Sequence, residues 1–304
     1  MPSPSPRQVL RTYRHGAGDP TTRLGANEFW RATLTPDGPG TLHLWWDTPA
    51  GGDAASADTA AAPTVDADAW GPGAQWLLAS VPAFSGALDP GHRFADAHPA
   101  IMAAQRNHPT LRLGASGTPY HDLLPIVLEQ RITTGEAIAQ WHRLVHRLGE
   151  PAPGPFPLLL PPSPAALLGK PTWWFHPLGI ERRRAETLRE IARHAAHVHQ
   201  WATLPAAEAG ERLSLLDGVG QWTIGSVLAA SWGHPDAVAV GDFHLKNIVV
   251  HALTGRARGT DDEMLELLAP YAGQRGRVVQ LLLASGHRAP AFGPRRRVVS
   301  MRRW

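Results

Sequence analysis

Hydrophobic and polar positions alternate, or β-forming residues cluster, over Glu28–Leu34 and Thr41–Trp46, which predicts two strands flanking a turn at Thr35-Pro-Asp-Gly-Pro-Gly40. Gln75–Val81 reads as a third strand. Between them, Pro49–Asp68 carries almost no large apolar side chain and reads as a disordered insertion. From Arg93 the pattern turns helical. Pro119–Thr134 predicts a helix ending near Gln130 and the start of the next. Gly135–Gly149 is amphipathic, with Ile138, Trp141, Leu144, Val145 and Leu148 at helical spacing. Pro151–Pro164 is too rich in proline for a helix or a central strand and predicts an ordered loop. A short helix and turn over Ala165–Trp174 and a basic helix around Leu178–Leu188 follow. Leu213–Val250 holds two apolar helix-like runs joined by Asp217-Gly218-Val219-Gly220. Leu245–Leu253, Met264–Ala272 (opened by the capping sequence Thr260-Asp-Asp-Glu) and Arg275–Leu283 complete the predicted helices.

Composition narrows the chemistry. A chain of 304 residues with 43% hydrophobic content is globular and long enough for two or three domains. Its positive charge comes almost wholly from arginine, since Lys170 and Lys246 are the only lysines. Arginine pairs bidentately with phosphate, which fits a nucleic-acid partner, but a GC-rich gene would give the same bias. Cysteine is absent, which excludes disulfides, thiolate catalysis and an iron–sulfur cluster. The first residues lack an apolar signal core and no run is long enough to span a bilayer, so a cytoplasmic, nucleoid-associated protein with no membrane partner is expected.

The glycines of the 217–220 turn favour tight reversal, because Gly218 and Gly220 can take a positive φ that a residue with a Cβ resists. Thr223–Trp232 is small and apolar, suited to a buried helix whose first amides face an anionic oxygen such as a phosphate. Asp242 follows Gly241 and precedes an apolar helix, where a carboxylate is stabilised; taken alone, it is also an ordinary N-cap.

Leu216-Asp-Gly-Val-Gly-Gln-Trp-Thr223, followed 24 positions after Gly218 by Val240-Gly-Asp-Phe-His244, resembles the helix–hairpin–helix–Gly/Pro…Asp signature of the base-excision DNA glycosylases. Within that superfamily it is most similar to the AlkA type of 3-methyladenine glycosylase. The resemblance implies a mainly α fold with an N-terminal α/β domain. It divides the chain into a mixed domain over 1–112, a two-lobed helical catalytic region over 113–292 with its hairpin at 214–226, and a basic tail over 293–304. It implies a monofunctional glycosylase that extrudes alkylated purines of the 3-methyladenine and 7-methylguanine type from duplex DNA and leaves an abasic site. A glycosylase for a bulkier or different lesion and a non-catalytic DNA-binding protein are the rival readings.

By the same resemblance Asp242 is the catalytic carboxylate, and Trp222, Ser226 and Leu283 line the lesion pocket. Trp222 occupies the position where strand-cutting relatives place a lysine; it either stacks on the lesion or belongs to the core. Gly218, Val219, Gly220, Gln221 and Thr223 would meet the DNA, with Gln130 and Arg131 where relatives place their wedge. No cofactor is required, but the carbonyls of Ser214, Leu216 and Val219 match those that hold a monovalent potassium or sodium ion in relatives. His194, His197 and His199, and the pair His142/His146, have metal-like spacing without a further ligand and read as surface histidines; His244 is a weak candidate for the site. Arg182, Arg183 and Arg184 read as a solvated helix face that is also able to meet DNA. The expected partner is damaged double-stranded DNA, bound by a monomer.

Overall fold

The computed structural model describes residues 6–47 and 64–290, so the basic tail and most of the 49–68 insertion lie outside the described residues. The chain opens with a short helix α1 (Pro6–Leu10) and a four-stranded antiparallel sheet: β1 (Thr22–Leu24), β2 (Glu28–Thr35), β3 (Gly38–Trp46) and β4 (Val65–Trp70), in that order. Thr35 pairs with Gly38, and Glu28 with Trp45, so the central hairpin forms where the alternation placed it.

Two sequence expectations fail here. Gln75–Val81 lies within a helix, α2 (Ala74–Phe84), whose Leu77 and Phe84 are buried a heptad apart with Val81 packed beside them. A dense apolar run hides its period, and tertiary packing selects the helix. The fourth strand is instead β4, which begins inside the stretch expected to be disordered. Val65, Ala67 and Ala69 pack toward the core while Asp66 and Asp68 are exposed. The pattern is a strict alternation, but alanine is too small to announce it.

Alternate residues of β2 and β3 serve the sheet's two faces. Phe29, Leu42, Leu44 and Trp46 pack against Val9, Leu10, Leu77 and Phe84. Trp30 and Ala32 meet Leu158 and Leu160 of the proline-rich loop on the other side. The sheet is tied to the helical part by a buried ion pair, in which Arg31 donates to Asp122 at 2.7 Å. Asp122 also accepts from Ser116 and Ser231, and the Arg31 guanidinium lies 5.3 Å from the Tyr13 ring. Removing one partner of such a pair leaves a buried charge uncompensated, at a cost of about 3–5 kcal/mol.

The first helical core combines α4 (Pro119–Glu129), α5 (Thr134–Leu148), α6 (Pro164–Leu168), a 3-10 turn over Thr172–Leu178, α7 (Arg182–Arg193), α8 (Ala195–Trp201), α9 (Ala206–Leu213) and α10 (Gln221–Ser231). Thr133 and Glu136 cap α5 reciprocally, and Trp141, Leu144 and Val145 bury its apolar stripe. The second core joins α3 (Pro99–Asn107) to α11 (Leu245–Thr254), α12 (Asp261–Leu268) and α13 (Arg275–Ala284). The 232–244 connection crosses from one core to the other, and the acidic residue lies at its far end.

Candidate active site

The α9–α10 turn sits directly on α7. Leu216 and Val219 are buried in the first core, which fixes the turn from below. Gly218 has φ 84°, and a Cβ there would drive into the Thr187 side chain, whose Cβ and Cγ2 stand only 3.0 and 3.1 Å away. Glycine is therefore required twice, by conformation and by space. Gly220 does not use that freedom: its φ is −96°, an extended N-cap to α10. A Cβ at Gly220 would meet nothing within 4 Å, so its glycine keeps an open surface over the first amides of α10. Those amides and the helix dipole suit an anion.

Gln130, at the end of α4, donates its amide to the Gly218 carbonyl and to Thr223 Oγ1, both at 3.0 Å. Thr223 is buried, so its side chain faces inward and holds Gln130, while Gln221 is exposed. The next residue, Arg131, is exposed and has φ 61°, the one positive φ outside glycine among the described residues. An arginine held in the left-handed region is strained, and such strain persists only where its surroundings enforce it.

Asp242 reaches the same face from the other core. Gly225 lets α10 lie in backbone contact with Val238 and Ala239, for a Cβ there would stand 3.0 Å from Ala239 Cα. The chain then turns at Gly241, with φ 93°. Asp261, at the start of α12, accepts from the Gly241 amide at 3.0 Å and from Lys246 Nζ at 2.9 Å. Burial alone would raise the Asp261 carboxyl, but the Lys246 ammonium and the Gly241 amide outweigh it and hold it below the usual range. The half-buried Asp242 carboxylate accepts from the amides of His244 and Leu245 through Oδ1, at 2.8 and 2.7 Å. Its Oδ2 accepts from Trp222 Nε1 at 3.1 Å.

Trp222 therefore fits neither sequence reading cleanly. It packs against the first core and aims its indole N–H at the carboxylate. Ser226 turns its hydroxyl back onto the Trp222 carbonyl, and Leu283 packs in the second core with Val238 and Ala239. Phe243 and Leu215 escaped the sequence reading, yet they flank Asp242 and the hairpin glycines at 71% and 73% exposure. The signal available for Phe243 was an apolar side chain between Asp242 and His244; Leu215, beside Leu216, carried none.

Comparison with solved structures adds the fold. A 3-methyladenine DNA glycosylase from Archaeoglobus fulgidus aligns over 93% of this chain and 95% of its own, with TM-score 0.76 at 16% identity. The chain has the helix–hairpin–helix DNA glycosylase fold. MBOgg1, in complex with a low-affinity DNA ligand, aligns over 87% of this chain and 97% of its own, with TM-score 0.60 at 14% identity. An 8-oxoguanine glycosylase/lyase from Clostridium acetobutylicum, bound to double-stranded DNA, covers the same shares with TM-score 0.58 at 11% identity. No protein-family model matches the chain, and no curated protein matches it in sequence.

Within this glycosylase fold several expected surface groups are committed elsewhere. Arg184 is buried and donates to the Leu128 carbonyl and Gln140 Oε1, both at 2.8 Å, so it braces α4 and does not face outward, whereas Arg182 stays on the exposed face, paired with Glu186. His199 is half-buried beside Tyr120, and burial lowers its pKa. No cluster of three or more histidine or acidic side chains able to hold a metal occurs among the described residues. The His244 ring stands edge-on to Phe243, with centroids 5.0 Å apart. No helix among the described residues is long and apolar enough to cross a membrane.

Proposed function

We propose that this protein is a monofunctional DNA glycosylase that hydrolyses the N-glycosidic bond of alkylated purines in duplex DNA. The observation that carries the reading is the Asp242 carboxylate. It is half-exposed, fixed by three donors, and placed where α11 begins, joined through Trp222 to the helix that follows the hairpin. A stacked base cannot be reached, so the nucleotide is extruded. As the bond to the base stretches, positive charge grows on the sugar, and a pre-oriented carboxylate stabilises it while directing water to C1′. The hairpin amides grip a phosphate beside the extruded nucleotide. Arg131 is the wedge that fills its place, because Gln130 is engaged by the hairpin.

The fold shared with a 3-methyladenine glycosylase favours alkylated bases, and the electron-poor ring of such a base suits the face of Trp222. Trp222 stands where the lyases carry their lysine, which favours hydrolysis without strand cleavage. The carbonyls of Ser214, Leu216 and Val219 would hold a potassium or sodium ion against the phosphate. Leu216 and Val219 bury their side chains and Ser214 Oγ donates to the Glu211 carbonyl, so what these three residues offer an ion is their neutral main-chain oxygens. Such a donor set, with no carboxylate in it, suits a monovalent ion. A second reading, excision of an oxidised purine, draws on the 8-oxoguanine glycosylase fold neighbours and on the modest side chains at Ser226 and Leu283.

The deciding experiment presents duplexes that each carry one modified base and scores abasic sites. Release of 3-methyladenine or 7-methylguanine with no borohydride-trapped adduct is expected. Release of 8-oxoguanine alone favours the second reading, a trapped adduct overturns the monofunctional assignment, and no release from any duplex leaves only a DNA-binding protein.

A further inference from the structure

Along α5 lies a groove of about 330 Å³ between that helix and the 3-10 turn over Thr172–Leu178, with no hairpin residue in its lining. Its wall from α5 carries His142, Arg143, His146 and Arg147; the opposite wall carries Trp173 and Trp174, and no carboxylate lines it. Trp173 is 74% exposed, more than any other large hydrophobic side chain among the described residues. Trp174 is half-buried beneath the Lys170 ammonium, which stands 5.4 Å from its ring, and Arg143 is held by donating to the Leu178 carbonyl at 2.9 Å. From the first residue of α5 to His142, the first lining residue on that helix, the rise is roughly 12 Å, so the groove is distinct from the Arg131 turn.

We propose that this groove is a second nucleic-acid site, which takes a single-stranded segment of DNA. A flat, exposed indole offers a stacking platform for an open base face, and the arginines and histidines opposite it take the flanking phosphates. A duplex hides its base faces, and an acidic peptide would leave two indoles without a use. The site does not depend on the chemistry assigned to Asp242.

Fluorescence anisotropy with a labelled oligothymidylate tests it. Trp173→Ala and Arg147→Ala are each expected to weaken oligothymidylate binding about tenfold while leaving duplex affinity unchanged. The proposal is overturned if both variants bind the oligomer like wild type, or if only a hairpin variant such as Gly220→Ala loses it. Competition by polyglutamate as strong as by unlabelled oligomer would reduce the groove to a generic anion surface. Equal affinity for thymidine triphosphate would make it a nucleotide pocket and overturn the strand assignment.

Discussion

Gly218→Ala and Gly220→Ala should separate folding from binding within a single turn. At Gly218, with φ 84°, an alanine occupies the left-handed region at a cost of about 1–2 kcal/mol. Its methyl also enters the Thr187 side chain, where Cβ at 3.0 Å and Cγ2 at 3.1 Å bar relief by a rotamer change, adding overpacking of about 1–3 kcal/mol. A loss near 3 kcal/mol is therefore expected in urea unfolding followed by far-UV circular dichroism. Thr187→Ala in the same chain removes Oγ1 and Cγ2 but not the φ strain. The double variant should recover about half the loss, a coupling of about 1–2 kcal/mol. At Gly220 the space is open and φ is −96°, so alanine should cost less than about 1 kcal/mol of stability as a poorer N-cap. Its methyl projects into the open space at the N-terminus of α10, where the phosphate is proposed to sit, and duplex affinity should fall. Equal unfolding midpoints for Gly218→Ala and wild type, or no coupling to Thr187, would refute this account of the turn.

Other consequences test the surroundings of Asp242. Trp222→Phe keeps an aromatic face but removes the donor to Oδ2; a bond of about 1.5–3 kcal/mol to a charged group predicts a roughly ten- to hundredfold slower single-turnover release at saturating substrate. Arg131→Gly relieves the strained φ while increasing backbone freedom, so unfolding free energy should stay within about 1 kcal/mol of wild type as base release falls about tenfold. Asp261 has a depressed pKa in the folded protein, so its stabilising contribution is complete above the ordinary carboxylate value near 4 and is lost as pH falls through the lower folded value. Unfolding midpoints measured against pH should show a shallower acid limb for Asp261→Asn than for wild type.

What could be read from the chain followed from how loudly each residue announces its backbone. The Thr260 capping box, the α5 stripe and the 217–220 reversal are local signals, and the structure carries all of them. β4 was missed because Ala67 and Ala69 bury little area, and α2 because its run of apolar residues obscures a helical period. The contacts that orient Asp242 were invisible for another reason. Trp222 reaches it across 20 residues, and Asp261 fixes the preceding peptide from another 20 away, so only the folded packing of α10 against 238–239 joins them. Arg184 misled because buried and exposed arginines look alike until Gln140 and the end of α4 are placed beside it.

The central claim is that the Asp242 carboxylate supplies negative charge to an electron-deficient sugar. Single-turnover release of 3-methyladenine by Asp242→Asn measures this most directly, because asparagine keeps the shape and the amide-accepting oxygen while removing the charge. The account predicts duplex binding close to wild type and base release reduced by at least about a hundredfold. Release at the wild-type rate from an Asp242→Asn protein that still binds duplex would contradict it.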